Sequence, residues 1–245
     1  MTKSLSVLYG AIAYVIFFLT FLYAIAFVGN FLVPRTVDAG LSSPTATAII
    51  IDVILLGLFA VQHSIMARPW FKRWWTRIVA WGVERTTYVL LASLCLILLF
   101  WQWRPLPQVV WDVQSPAGRG VLTALFWIGW IIVLVSTFLI DHMELFGLRQ
   151  VMAYAKGTEF VPPTFKERLF YKVCRHPIML GFIVAFWATP TMTVGHMLFT
   201  VATTVYIVLA IQFEEHDLIS AHGDTYRSYR RRTSMLVPLM KRSRS

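Results

Sequence analysis

Between Leu5 and Val33 there is no aspartate, glutamate, lysine or arginine. Wound as a helix at about 1.5 Å per residue, such a run exceeds the ~30 Å hydrocarbon core of a bilayer. Comparable apolar runs recur at Ala46–Ala67, Thr86–Trp103, Gly120–Ile140 and Val194–Phe213, with a shorter one at Pro177–Thr189 that stops at Pro190. The short run reaches only about 20 Å as a helix, so it is predicted to form a hairpin with the run after it, crossing fully or not. The expected fold is therefore all-α: a polytopic transmembrane helical bundle of five to six spans. Composition agrees, with 58 % hydrophobic and 14 % charged residues, against roughly 45–50 % and 25 % in soluble domains.

The formal charge of +10 raises nucleic acid as a partner, and the placement of the charge removes it. Nineteen of the 22 lysines and arginines flank alternate ends of the apolar runs, and only Arg35, Arg104 and Arg119 lie on the other side. That is the positive-inside pattern. It puts both termini and the Arg68–Arg85 and Asp141–Arg175 segments in the cytoplasm. Tryptophans at the run edges, such as Trp74, Trp101 and Trp127, fit an aromatic belt. Lys3 alone precedes the first run and no small-residue cleavage site follows it, so that run is predicted to be an anchor helix. Cys95 and Cys174 make no disulfide framework, and the histidines are scattered, so no metal site is expected. The chain is read as one membrane domain over 1–245, with an N-terminal bundle and acceptor region (1–150) and a cofactor region (151–245). The partners expected are membrane lipid and a small ligand, with no obligate protein partner.

The chemistry gathers where a charged segment meets an apolar one. Tyr171-Lys172-Val173-Cys174-Arg175-His176-Pro177-Ile178-Met179-Leu180-Gly181 places a guanidinium, an imidazole and a helix-starting proline at one mouth. The open N–H groups of a helix's first turn favour an anion, Arg175 adds a fixed charge, and Gly181 allows a partner or ligand to come close. Glu214-Glu215 ends the last apolar run, with Asp217 after it. Acids there oppose the helix dipole, so a cation must compensate them: an arginine from the tail, or a ligand. A basic cluster and two carboxylates at one depth suit a zwitterionic cofactor. His222-Gly223 and Tyr226 to Arg230, running on to Val237-Pro238, are predicted to close the pocket as an amphipathic lid.

Three patterns at these distances, R-H-P-x-x-x-G at Arg175–Gly181, E-E-x-x-L at Glu214–Leu218 and G-x-x-Y-x-x-Y at Gly223–Tyr229, resemble the isoprenylcysteine carboxyl methyltransferase-like (NnrU-like) superfamily of membrane enzymes. Asp141-His142-Met143-Glu144-Leu145-Phe146-Gly147-Leu148-Arg149-Gln150 and the extra N-terminal spans resemble its bacterial branch that methylates methanethiol to dimethyl sulfide. The resemblance implies a cytoplasmic pocket for S-adenosylmethionine closed by the C-terminal tail. It implies Tyr171, Arg175, His176, Pro177, Ile178, Met179, Gly181, Glu214 and Glu215 as its contacts. Ala210 stands where the prenylcysteine enzymes carry an arginine for the substrate carboxylate, which favours a small neutral acceptor. A prenylcysteine or lipid acceptor, reductase chemistry in the same superfamily, and a non-enzymatic transporter remain alternatives.

A thiol acceptor reacts as its thiolate, so a base near it would help. Ionisable side chains at membrane depth are functional candidates by default, and the second run carries Asp52 and His63. On a straight helix they lie about 20° apart around the axis but roughly 16 Å apart along it. His63, at the cytoplasmic end, is the first candidate base, and Asp52 a network or helix-packing group. His142 is the competing base, with Asp141 beside it as an anchor for Arg149 or Arg175. His196 is expected to be interfacial. For each, a plain structural role is the alternative.

Overall fold

The computed structural model describes residues 2–161 and 167–237. Pro238 and the basic Lys241, Arg242 and Arg244, which entered the lid and charge readings, lie outside the described residues. In chain order the elements are α1 (Lys3–Gly29), α2 (Thr45–Ala67), α3 (Pro69–Trp75), α4 (Trp81–Gln102), β1 (Val109–Asp112), α5 (Pro116–Ile140), α6 (His142–Leu145), α7 (Leu148–Lys156), a 3-10 turn (Leu169–Lys172), α8 (Pro177–Trp187), β2 (Thr191–Thr193), α9 (Val194–His222) and α10 (Asp224–Arg232).

Among the described residues five helices, α1, α2, α4, α5 and α9, are long and apolar enough to cross a membrane, while α8 is too short. Only 17–44 % of the most apolar stretch of each long helix is buried within the protein. Leu19, Ile54 and Ile131 are each more than half exposed. Contiguous apolar surface of this extent belongs in lipid, and the chain is an integral membrane protein. The helices begin and end at local signals. Thr2 caps α1 by accepting from Leu5 N, and Asn30 ends it in the left-handed region. Ser115 and Pro116 start α5. Pro177 occupies the first turn of α8, where a missing N–H costs nothing.

Three stretches differ from the sequence reading. The basic segment after Ala67 contains α3 and the first turn of α4, because a proline start and Glu84 near a helix N-terminus support helix without hydropathy. The proline-rich segment after Trp103 contains β1, which pairs with β2. α9 continues nine residues past Phe213, since charged residues leave the bilayer without leaving the helix.

The chain forms two compact units that interleave along the sequence. The first comprises Met1–Trp111, His142–Pro162 and Thr191–Phe199. There α1 and α2 pack on α4, and α7 packs on α1 and α4. Gly82 is required at the last crossing, because a Cβ there would lie 2.2 Å from the Tyr154 side chain. Gly147, at φ +84°, turns the chain into α7 at a place where an added Cβ would lie 2.7 Å from the Thr86 backbone N. The second unit comprises Asp112–Asp141, Pro163–Pro190 and Thr200–Ser245. Its core is α5 against α8, crossing at Gly129 and Gly181, where a Cβ on either would come within 2.7 Å of the other's carbonyl oxygen. Small residues at such crossings let helices associate closely in lipid.

Candidate functional site

In the second unit the fold brings the R-H-P and E-E patterns together. Arg175 is almost fully buried, and its Nε donates to Glu215 Oε1 at 2.6 Å. Its Nη1 donates to the carbonyls of Arg230 (3.1 Å) and Thr233. Arg230 approaches the other oxygen, Glu215 Oε2, at 3.0 Å. Glu215 is thus held between two guanidiniums, and His176 Nε2 lies 3.2 Å from Oε1 as well. The cation that had to compensate these acids comes from the motif itself and from the tail.

The tail is stitched on by its backbone. Cys174 and Ser234 form a parallel bridge, Arg175 N donates to Ser234 O (2.9 Å), and His176 N donates to Met235 O (3.2 Å). Tyr229 Oη donates to Tyr171 O at 2.5 Å, and both Tyr226 and Tyr229 are buried. The predicted amphipathic lid is therefore α10 followed by a short extended strap at 233–235, fixed to the residues it covers.

The two glutamates part company here. Glu215 has a 3 % exposed side chain and is fully engaged, whereas Glu214 is 47 % exposed, with His176 Nδ1 3.5 Å from its Oε2. Burial alone would lower the pKa of His176, but hydrogen bonds and charge from Glu214 and Glu215 raise it above its usual 6.5. The ring is thus a buried cation site presenting a half-open carboxylate. Burial, and then the charge of Glu214, push the Tyr171 phenol well above its ordinary range, so it stays a hydrogen-bond donor. Burial also raises Cys174, which removes it as a nucleophile.

Of the other predicted contacts, Pro177 is buried and Ile178 and Met179 are half-buried on the first turn of α8. The close partner at Gly181 is α5, at Gly129. Arg175 is taken up by Glu215 and the tail, which corrects its pairing with Asp141: the tail's carbonyls and a buried carboxylate out-compete a helix-end acid.

The acceptor candidates lie in the first unit. Tyr88 Oη sits 2.8 Å from His63 Nε2 and 3.1 Å from Nδ1, and Phe59 stacks on the imidazole. His142 Nε2 bonds Tyr14 Oη at 2.8 Å, against Phe146. Asp52 is wholly buried and accepts from the Arg104 backbone N at 2.9 Å, so it ties α2 to the chain after α4. His196 lies in the first turn of α9, beside the loop that carries Asp38. It is fully buried beside Asp38 (3.8 Å), whose carboxyl burial would raise but which hydrogen bonds from His196, Thr193 and Asn30 hold below its usual range.

Sequence reasoning passed over Tyr88 and Tyr14, and expected a tail arginine against the glutamates without saying which one. Arg230 had a signal, because an uncompensated E-E pair requires a cation. The tyrosines had none, because one hydroxyl among many aromatics carries no spacing of its own.

Architecture and site define a helical membrane protein, with five helices long and apolar enough to span and a charged, tail-strapped cluster at the mouth of the short apolar one. The chain belongs to the NnrU protein family, which it matches over residues 52–236. It is 57 % identical to the methanethiol S-methyltransferase of Mycobacterium tuberculosis over 238 residues, covering 97 % of this chain and 98 % of that one. It is 56 % identical to methanethiol S-methyltransferase 1 of Bradyrhizobium diazoefficiens over 236 residues, 96 % of this chain and 83 % of that one. It is also 32 % identical to nurim of Bos taurus over 178 residues, 68 % of this chain and 66 % of that one. No solved structure matches the chain.

Proposed function

We propose that this protein is a membrane methyltransferase that moves the methyl group of S-adenosylmethionine to methanethiol, giving dimethyl sulfide. The reading rests on relatives of that name that match nearly the whole chain, and on one feature of the second unit. Arg175 and Arg230 satisfy Glu215 internally and leave Glu214 half-exposed beside His176. When bound, S-adenosylmethionine supplies a methyl on a sulfonium sulfur, which departs as a neutral thioether.

The residues fit that group. The Glu214 carboxylate matches an ammonium or a ribose hydroxyl, and Tyr171 remains a protonated donor. The first turn of α8 offers N–H groups to a carboxylate, with Ile178 and Met179 as apolar neighbours. Arg175, His176, Glu215 and the strap build the wall that orients Glu214, and Pro177 starts the helix. The positive-inside bias supports a cytoplasmic position for this site and both termini, and the bacterial relatives support a bacterial inner membrane. In the overall reaction the thiol loses its proton, a new S–C bond forms on its sulfur, and the proton leaves to solvent. An acceptor without charge suits an apolar chain with Ala210 on α9.

The test is detergent-purified protein given S-adenosylmethionine and methanethiol, with dimethyl sulfide read in the headspace and cofactor binding read by calorimetry. Wild type should produce dimethyl sulfide. Glu214→Ala should lose about tenfold or more in cofactor affinity, the scale of one charge-assisted hydrogen bond, while keeping its fold. Cofactor binding without dimethyl sulfide would transfer the reading to another acceptor, and absence of binding would end it.

A further inference from the structure

Positions 59, 62, 63 and 66 recur at i, i+3, i+4 and i+7 on α2, so Phe59, Gln62, His63 and Met66 share one face. The side chains on that face are arranged around the imidazole. Phe59 stacks on His63 with ring centroids 5.1 Å apart. Gln62 Nε2 donates to Met66 Sδ at 3.1 Å, which turns the amide so that Oε1 is buried and accepts nothing. Met66 and Tyr88 are buried together, with Phe17, Phe71, Trp75 and Phe146 packed around them. A buried carbonyl oxygen without a donor costs free energy, and aromatic and thioether groups attract sulfur. A weak, soft donor such as a thiol S–H satisfies both conditions.

Tyr88 gives the cluster its second property. Its hydroxyl lies 2.8 Å from Nε2 and 3.1 Å from Nδ1 of the imidazole. A phenol hydroxyl can donate to a bare imidazole nitrogen or accept from an N–H, so it can partner the ring in either protonation state. Arg85 lies over the Tyr88 ring, 5.2 Å from its centroid, and is held by Leu145 O at 3.0 Å. A cation over a phenol ring makes its hydroxyl a better donor. A second histidine–tyrosine pair of this unit, His142–Tyr14, bonds through Nε2 at 2.8 Å.

We infer that this face of α2, with Tyr88 of α4, is where the acceptor thiol binds and is deprotonated: Gln62 Oε1 accepts the S–H on binding, and the S–H then turns about the C–S bond to the imidazole of His63, which takes the proton. The inference rests on the methyltransferase reading and deepens it. In the step, R–SH and neutral imidazole become R–S⁻ and imidazolium. The S–H bond breaks, its electron pair stays on sulfur, and the ring later returns the proton to solvent. Tyr88 is a positioning residue, since it touches the base and not the substrate.

The test uses acceptor acidity. Methanethiol needs a base, whereas hydrogen sulfide is largely ionised at mildly alkaline pH and small enough for the same place. For His63→Gln, turnover of methanethiol should fall about 100-fold, the scale of a lost general base, with a much smaller fall for hydrogen sulfide. Added imidazole should restore part of the activity in His63→Ala. Tyr88→Phe should show the same bias at about tenfold, and Gln62→Leu should raise KM for methanethiol more than it lowers kcat. His142→Gln and Tyr14→Phe should affect both acceptors alike. Equal losses on both acceptors in His63→Gln and Tyr88→Phe, or a biased loss in His142→Gln instead, would overturn the assignment. A wild type that methylates neither acceptor would overturn the methyltransferase reading, and this one with it.

Discussion

His176 and His63 are the same residue in opposite settings. In the second unit His176 is buried between two carboxylates and next to an Arg–Glu–Arg cluster, and its surroundings hold a proton on it. In the first unit His63 is half-buried, stacked on Phe59 and bonded to the Tyr88 phenol. One histidine is set among charges, the other among aromatic rings. The charged cluster also carries the fold of its unit, because the strap and α10 are attached through it, while the aromatic cluster rests on packing that would survive loss of the imidazole.

The largest effect expected from that contrast is on the charged side. Glu215→Ala leaves Arg175 buried without its carboxylate and should cost about 3–5 kcal/mol, the scale for breaking a buried pair. Thermal unfolding and protease sensitivity of the 226–237 tail would show it. Glu214→Ala, by contrast, should shift stability by less than about 1 kcal/mol, because its carboxylate is half-exposed. If both variants unfold alike, the division of labour between the two glutamates is wrong.

Next come the crossings that hold each unit. Gly82→Ala drives a methyl into Tyr154 and should cost about 1–3 kcal/mol. Gly129→Val should do at least as much to α5–α8, since the obstacle there is backbone. Melting temperatures would rank them. A tolerant Gly129 would mean that the second unit is held mainly by its ion pairs.

The smallest effect is a pH slope. The folded pKa of His176 lies above its usual 6.5, so the stabilisation it brings is complete below about that pH and fades as pH rises through the elevated value. Wild-type melting temperature should decline over that alkaline window, and His176→Gln should flatten the decline.

Much of this was legible before any coordinates. Uncharged runs long enough to span a bilayer can satisfy their backbone only as helices there, so the five spans and the short α8 followed from hydropathy. The Arg175-His176-Pro177 and Glu214-Glu215 pair was legible for a different reason: acids at a helix C-terminus need a cation, and the tail has one. Boundaries were less legible. Hydropathy marks where the chain meets water, and α4 and α9 continue as helix across that limit.

What the sequence determined by itself is therefore the solvent of each segment, the helices that follow from it, and the charges that must find partners. Tertiary structure alone decided which partners they found. Glu214 and Glu215 are adjacent and chemically identical, yet one is locked between Arg175 and Arg230 and the other faces outward, because successive residues on a helix point about 100° apart and only packing says which direction is the interior. Tyr88 comes to His63 for the same reason, across 25 residues, by the way α2 packs on α4.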